Sequence, residues 1–214
     1  MVKAIYHISE IGETCMRLDA AMKQMKLNQK LAVQCSPVLM GIKTANTITI
    51  KQDELEDILE LLEGTGLLVL KLCECKKKCV LLLYRQNLLY NHIQREGERK
   101  FLASYGYHRD LKFDEILLRL VERFREYALH KGNFPHELGV FLEYPIKDMI
   151  GFIENKGKCF KLTGYWKVYE NEEYAKIIFT NYDRAKEQVA LGVEKGIPLW
   201  EIVRLYSSKQ IAYN

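Results

Sequence analysis

Residues 67–84 read LLVLKLCECKKKCVLLLY. Two apolar runs of strand length flank a basic tip, and a connection this short leaves only an antiparallel pair. That hairpin puts a sheet into the fold and obliges the rest of the chain to cover it. Most of the rest reads as helix. Ile11, Cys15, Leu18, Met22 and Met25 recur at helical spacing over 9–26, with Ser9 as a candidate cap. Residues 27–35 extend that helix or form a second piece. The segment 35–46 reads mostly as loop, broken at Pro37, before a β-branched strand, Thr47–Ile50. Asp53 with Glu56 suggests a capping box for a helix over 53–63. Two short helices over 87–105 and a longer one over 114–131 follow.

Further along, ELGVFLEY at 137–144 is a continuous apolar run of strand length, and Pro145 opens a helix over 146–156. Residues 158–169 alternate like a half-buried strand interrupted at Gly164. Strand, crossover helix, strand is the pattern of a βαβ unit with parallel strands. Asn171 caps a helix from 172 to about 195, and a last helix spans 198–207. The expectation is a mixed α/β protein. It has one mixed sheet of four to five strands covered by helices, with one β-hairpin and one βαβ unit. With no linker rich in Pro, Gly or Ser, residues 1–214 read as a single domain.

Composition narrows the classes. A chain of 214 residues with 48% apolar and 28% charged residues is ordinary for a globular domain. The net charge of +4 is too small to imply nucleic acid by itself, and the densest basic cluster, Lys76–Lys78, sits at a turn, so nucleic-acid binding is not expected. No segment approaches the length of a membrane span, and the start of the sequence has no signal-peptide core. The six cysteines are therefore expected to be reduced thiols in the cytoplasm. There is no Gly-x-Gly-x-x-Gly, Walker loop, His-Glu-x-x-His or Gly-x-Ser-x-Gly, so the sequence names no cofactor, and it names no partner.

Four constellations carry the available chemistry. Cys73, Cys75 and Cys79 cluster at the hairpin and are candidates for a soft metal, although a zinc site wants a fourth ligand. His136 and Glu137 offer a base beside a carboxylate, but adjacent residues on a strand face apart. Cys35 and Lys43 share an irregular segment in which a lysine could activate a thiol. Tyr165, Lys167 and Tyr169 lie on one strand face, with Trp166 opposite, and could stack a flat ligand. If 137–144 is a parallel strand, His136 and Glu137 mark its amino end. Ligands in open α/β sheets bind beyond the carboxyl end, which carries Glu143 and Tyr144.

Three stretches, CSPVLMGIKTAN at 35–46, FPHELGVFLEYPIKDMIGFIENKGK at 134–158 and GYWKVYENEEYAKIIFTNYDRAK at 164–186, resemble the bacterial family known as domain of unknown function 3793. The resemblance implies a cytoplasmic bacterial protein without an assigned activity and supplies no catalytic residue. It directs attention to the same segments. Two readings follow. One is a non-enzymatic module that binds a small ligand or a protein. The other is an enzyme or redox-linked protein whose cleft unites Cys35, Lys43 and His136. Metal and DNA binding rank below both.

Overall fold

Strands β1 (Ala45–Lys51), β2 (Leu68–Cys75) and β3 (Lys78–Tyr84) form one antiparallel sheet in the order β1-β3-β2. They are seen in a computed structural model that describes the backbone over residues 2–211 and the side chains over 21–206. The β2–β3 loop is Lys76-Lys77, with φ of 47° and 64°. A type I′ turn demands positive φ at both positions, and its twist matches the strands it joins. Two lysines accept this conformation at about 1–2 kcal/mol each.

β3 is central and covered on both faces, which explains its unbroken apolar run: Leu81, Leu82 and Leu83 are fully buried. Leu81 and Leu83, with Ile48 and Ile50, pack on Leu31 and Leu39 of α1 (Val2–Leu39), Ile58 of α2 (Leu55–Leu62) and Ile202. Leu82, Leu72 and Tyr84 face the other way. They pack on Leu89 of α3 (Gln86–Ile93), Leu102 of α4 (Glu96–Ala103) and Leu120 of α5 (Phe113–Ala128). Each leucine so buried contributes about 1.5–3 kcal/mol. The sheet is thus a middle layer between two layers of helices.

Several expectations shift. Helix α1 runs through 27–35 and past Pro37 to Leu39, so 35–39 is helix rather than loop. Pro37 lacks an N–H, but the helix ends two residues later, and its carbonyl accepts the N–H groups of Ile42 and Lys43. Met22 and Met25 are half exposed, not inward, while Ile11, Cys15, Leu18 and the Ser9 cap lie outside the described side chains. Before α2 the chain makes a 3-10 turn, Gln52–Glu54. There Glu54, not Glu56, reaches back to accept the Lys51 N–H at 2.9 Å.

The larger correction concerns the βαβ unit, which does not form. Residues 138–141 make one helical turn, α6 (Leu138–Phe141), buried along its length. A continuous apolar run has no period, so a short buried helix and a buried strand look alike in sequence. Glu143 ends the turn at φ 56°, and the Tyr144 N–H bonds the Gly139 carbonyl at 2.9 Å, a Schellman-type closure. A Cβ on Gly139 would lie 2.9 Å from the Met149 sulfur, so glycine lets α7 (Ile146–Glu154) close on α6.

The second expected strand is instead two short arms, β4 (Leu162–Thr163) and β5 (Lys167–Val168), paired antiparallel around Gly164. No parallel pair occurs among the described residues, and the strands divide three and two rather than sharing one sheet. Two helices complete the fold, α8 (Glu172–Glu194) and α9 (Leu199–Ile211). As expected, Asn171 caps α8, its side chain accepting the Tyr174 N–H at 3.0 Å. No described helix is long and apolar enough to cross a membrane.

Candidate functional site

The β4–β5 hairpin is too small to hold a shape alone; a hairpin of this size needs packing against other elements. Asp148, in the first turn of α7, supplies the anchor. One of its oxygens accepts the Trp166 indole N–H at 2.8 Å. The other accepts the backbone N–H groups of Tyr169 and Glu170 at 2.7 and 2.9 Å. Asp148 is 4% exposed, and three N–H donors satisfy its buried charge. The Trp166 ring then stands edge-on to Phe179 of α8 at 4.5 Å and tilted over Tyr144 at 5.6 Å. A Cβ on Gly164 would sit 2.3 Å from the Phe179 ring, so only glycine lets the hairpin close on α8.

Between this hairpin, α6, α7 and the Phe134–His136 segment lies a cavity of about 480 Å³. Five aromatic rings, Phe134, Tyr144, Phe152, Tyr165 and Trp166, contribute to its lining, and Thr47 of β1 reaches it from the sheet. His136 and Lys167 also line it. The His136 ring lies between Phe134 at 5.4 Å and Phe152 at 5.7 Å. The Lys167 ammonium donates to the Gly157 carbonyl at 2.7 Å and sits 4.8 Å from the Phe160 ring and 5.8 Å from Phe152.

Lys43 lies behind Tyr144. It is 3% exposed, donates to the Asn46 side chain at 2.8 Å, and stands 5.6 Å from the ring centres of both Tyr144 and Tyr182. Burial pulls its ammonium down to about 8, against the opposing charge of Glu143. Glu143 accepts the Thr44 N–H at 2.7 Å and so ties α6 to the turn before β1. Its left-handed backbone, unusual for a residue with a Cβ, places that carboxylate. Cys35 is fully buried nearby; burial pushes its thiol up to about 12, with Asn46 and Lys43 pulling the other way. It is held as a neutral thiol out of reach of solvent, the opposite of a nucleophile's setting.

Burial, and then the charge and hydrogen bond of Asp183, raise the Tyr165 phenol above its ordinary range; its O–H donates to Asp183 at 2.9 Å. The Tyr165 ring stands edge-on to Tyr182 at 5.0 Å. Tyr165, Tyr182, Lys43 and Tyr144 therefore form one continuous chain of contacts at the back of the cavity. His136 and Glu137 part company. Glu137 is fully buried and takes the Arg123 guanidinium at 2.8 Å and the Tyr107 hydroxyl at 3.4 Å, far from any role as partner to His136.

The hairpin thiols do not converge. A bulge at Leu72 resets the register, so Cys73 opposes Val80 and Cys75 opposes Lys78, while Cys79 opposes Glu74. Cys79 is buried with α1 and α2, and Cys73 packs on the opposite face. Among the described residues no three His, Cys, Asp or Glu side chains could hold a metal ion. Sequence reasoning missed Asp148, Phe152, Phe134 and Tyr182. Their common feature is spatial, and no local spacing announces it.

By class this is a mixed α/β protein with an aromatic cavity opening beside its sheet. The family described as Protein of unknown function (DUF3793) matches residues 31–203, and the chain belongs to that family. No curated protein and no solved structure matches it.

Proposed function

We propose that the protein is a non-enzymatic module, working in the bacterial cytoplasm, that binds a small flat ligand in the aromatic cavity. The observation that carries this reading is the cavity itself. Its volume of about 480 Å³ falls within the range of small-molecule sites, which are concave, mostly apolar and furnished with a few polar groups. Tyr144, Tyr165 and Lys167 are ligand-contacting residues in this reading, and His136 lines the same space. Glu143 serves indirectly by fixing Tyr144. The cytoplasmic setting is supported by the family resemblance and by Cys35, Cys73, Cys75, Cys79 and Cys159, which are all free thiols.

The enzyme alternative needs Cys35 as a reactive thiol, and the burial of that thiol weighs against it. The test uses the two tryptophans as reporters. In ¹⁵N-labelled protein the indole signals of Trp166 and Trp200 are assigned by Trp166→Phe. Flat aromatic fragments, neutral and charged, are then added at millimolar concentration. The expected result is that some fragments move the Trp166 signal and leave Trp200 in place. A set in which none moves Trp166 overturns the proposal.

A further inference from the structure

Resting on the cavity reading, we infer that the ligand is an anion: a flat aromatic or unsaturated body carrying a carboxylate or similar acidic group. The argument is an inventory of polar groups around the cavity. Asp148 is its acidic lining residue, and both its oxygens are already taken by the Trp166, Tyr169 and Glu170 N–H groups. Three of its four acceptor positions are filled and it is 4% exposed, so it offers a ligand little hydrogen-bonding surface.

The basic side chains are in the reverse state. Lys167 has three N–H donors and places one on the Gly157 carbonyl. Among the described residues no carboxylate pairs with it. The rings of Phe160 and Phe152 attract its charge without accepting its remaining hydrogens. His136 has ring neighbours on two sides, and its ring nitrogens have no hydrogen-bond partner among the described residues. Both groups flank the same ring, Phe152. Two unmatched donors beside a common aromatic wall are complementary to a planar body with one acidic end. The body stacks on the rings, and the anion receives hydrogen bonds from Lys167 and His136. Charge-assisted bonds of this type are roughly twice as strong as neutral ones.

The experiment uses matched triples on one ring system each: benzoate, benzamide and benzylamine; indole-3-acetate, indole-3-acetamide and tryptamine; 2-naphthoate and its amide and aminomethyl counterparts. Dissociation constants are read from the Trp166 indole shift. The acids should bind at least about tenfold more tightly than their amides, and the amines more weakly than either. Lys167→Met should shrink the acid–amide gap to less than about threefold, with the loss falling chiefly on the acids. His136→Gln provides a second variant should Lys167→Met fail to fold, and Lys167→Arg should retain the gap.

Amides that bind as well as acids would overturn the anion inference and leave the cavity reading standing. So would a gap that survives both Lys167→Met and His136→Gln. Failure of every member of every triple would remove both readings together.

Discussion

His136 lines an aromatic cavity with its ring nitrogens unpartnered among the described residues, whereas Glu137, next along the chain, is sealed in the core against Arg123 and Tyr107. The two residues read as one constellation in sequence, yet they belong to different parts of the molecule. Around Glu137 the charges are matched, and the carboxylate's work is to hold α5 against α6. Around His136 and Lys167 hydrogen-bonding capacity is left over beside the cavity. A buried charge with its partner is a device of folding, because its desolvation must be offset within the protein. Donors that lack a partner inside a concave apolar surface are, on the reading proposed above, where the ligand binds.

The sharpest way to break this contrast is Glu137→Ala. It removes the partner of the Tyr107 hydroxyl and leaves Arg123 only Glu126 at 3.6 Å, and should lower unfolding free energy by about 3 kcal/mol in a urea titration. Lys167→Met should cost less than about 1 kcal/mol, as surface and rim substitutions do. A reversal of that order would erase the distinction drawn here.

Next in size is Gly164→Ala, whose methyl would overlap Phe179. A loss of about 1–3 kcal/mol is expected, in line with overpacking of a close contact, and a second change, Phe179→Leu, should restore part of it.

A smaller effect concerns Lys43 and appears only as pH varies. Its folded value, about 8, lies below the ordinary 10.5. The unfolded chain therefore binds more protons between those limits, and stability rises with pH across that window. Lys43→Met removes this term. The difference in unfolding free energy between wild type and variant should change in favour of wild type by on the order of 1–2 kcal/mol from pH 8 to pH 10. The offset at low pH also contains the lost Asn46 bond, so the slope is the informative quantity. Cys35, raised to about 12 from 9.0, contributes stability that is present below pH 9 and lost above it, and because Lys43 is one of the groups acting on it, the comparison is made in a Cys35→Ala background. A flat difference would mean that Lys43 is not held in a desolvated nest.

Smallest of all, Cys75→Ser should stay within about 0.5 kcal/mol of wild type, because that thiol is exposed and holds nothing.

The sequence made some of these distinctions and hid others. The hairpin was legible because a two-residue turn between apolar strands admits one pairing. Helices α5 and α8 were legible because their apolar residues keep a 3.6 period, and Asn171 supplies a cap. The run at 137–144 was not, because a helical turn buried on all sides loses its periodicity. The candidate residues fared according to the same logic. Lys43 lies about a hundred residues before Glu143 and Tyr144, and a hydrogen bond from Thr44 to Glu143 brings them together. Tyr165 and Lys167 belong to an aromatic and basic stripe in the sequence, and both lie in the β4–β5 hairpin. Asp148 was invisible, since an acid in the first turn of a helix is ordinary dipole pairing until the hairpin it anchors is seen.

That single carboxylate has a kinetic consequence. It fastens the hairpin to α7, so the two sides of the cavity travel as one body and exchange with solvent needs no hinge to open. For the proposed ligand, association should then involve no gating step, and affinity among related ligands should differ chiefly in how long each one stays.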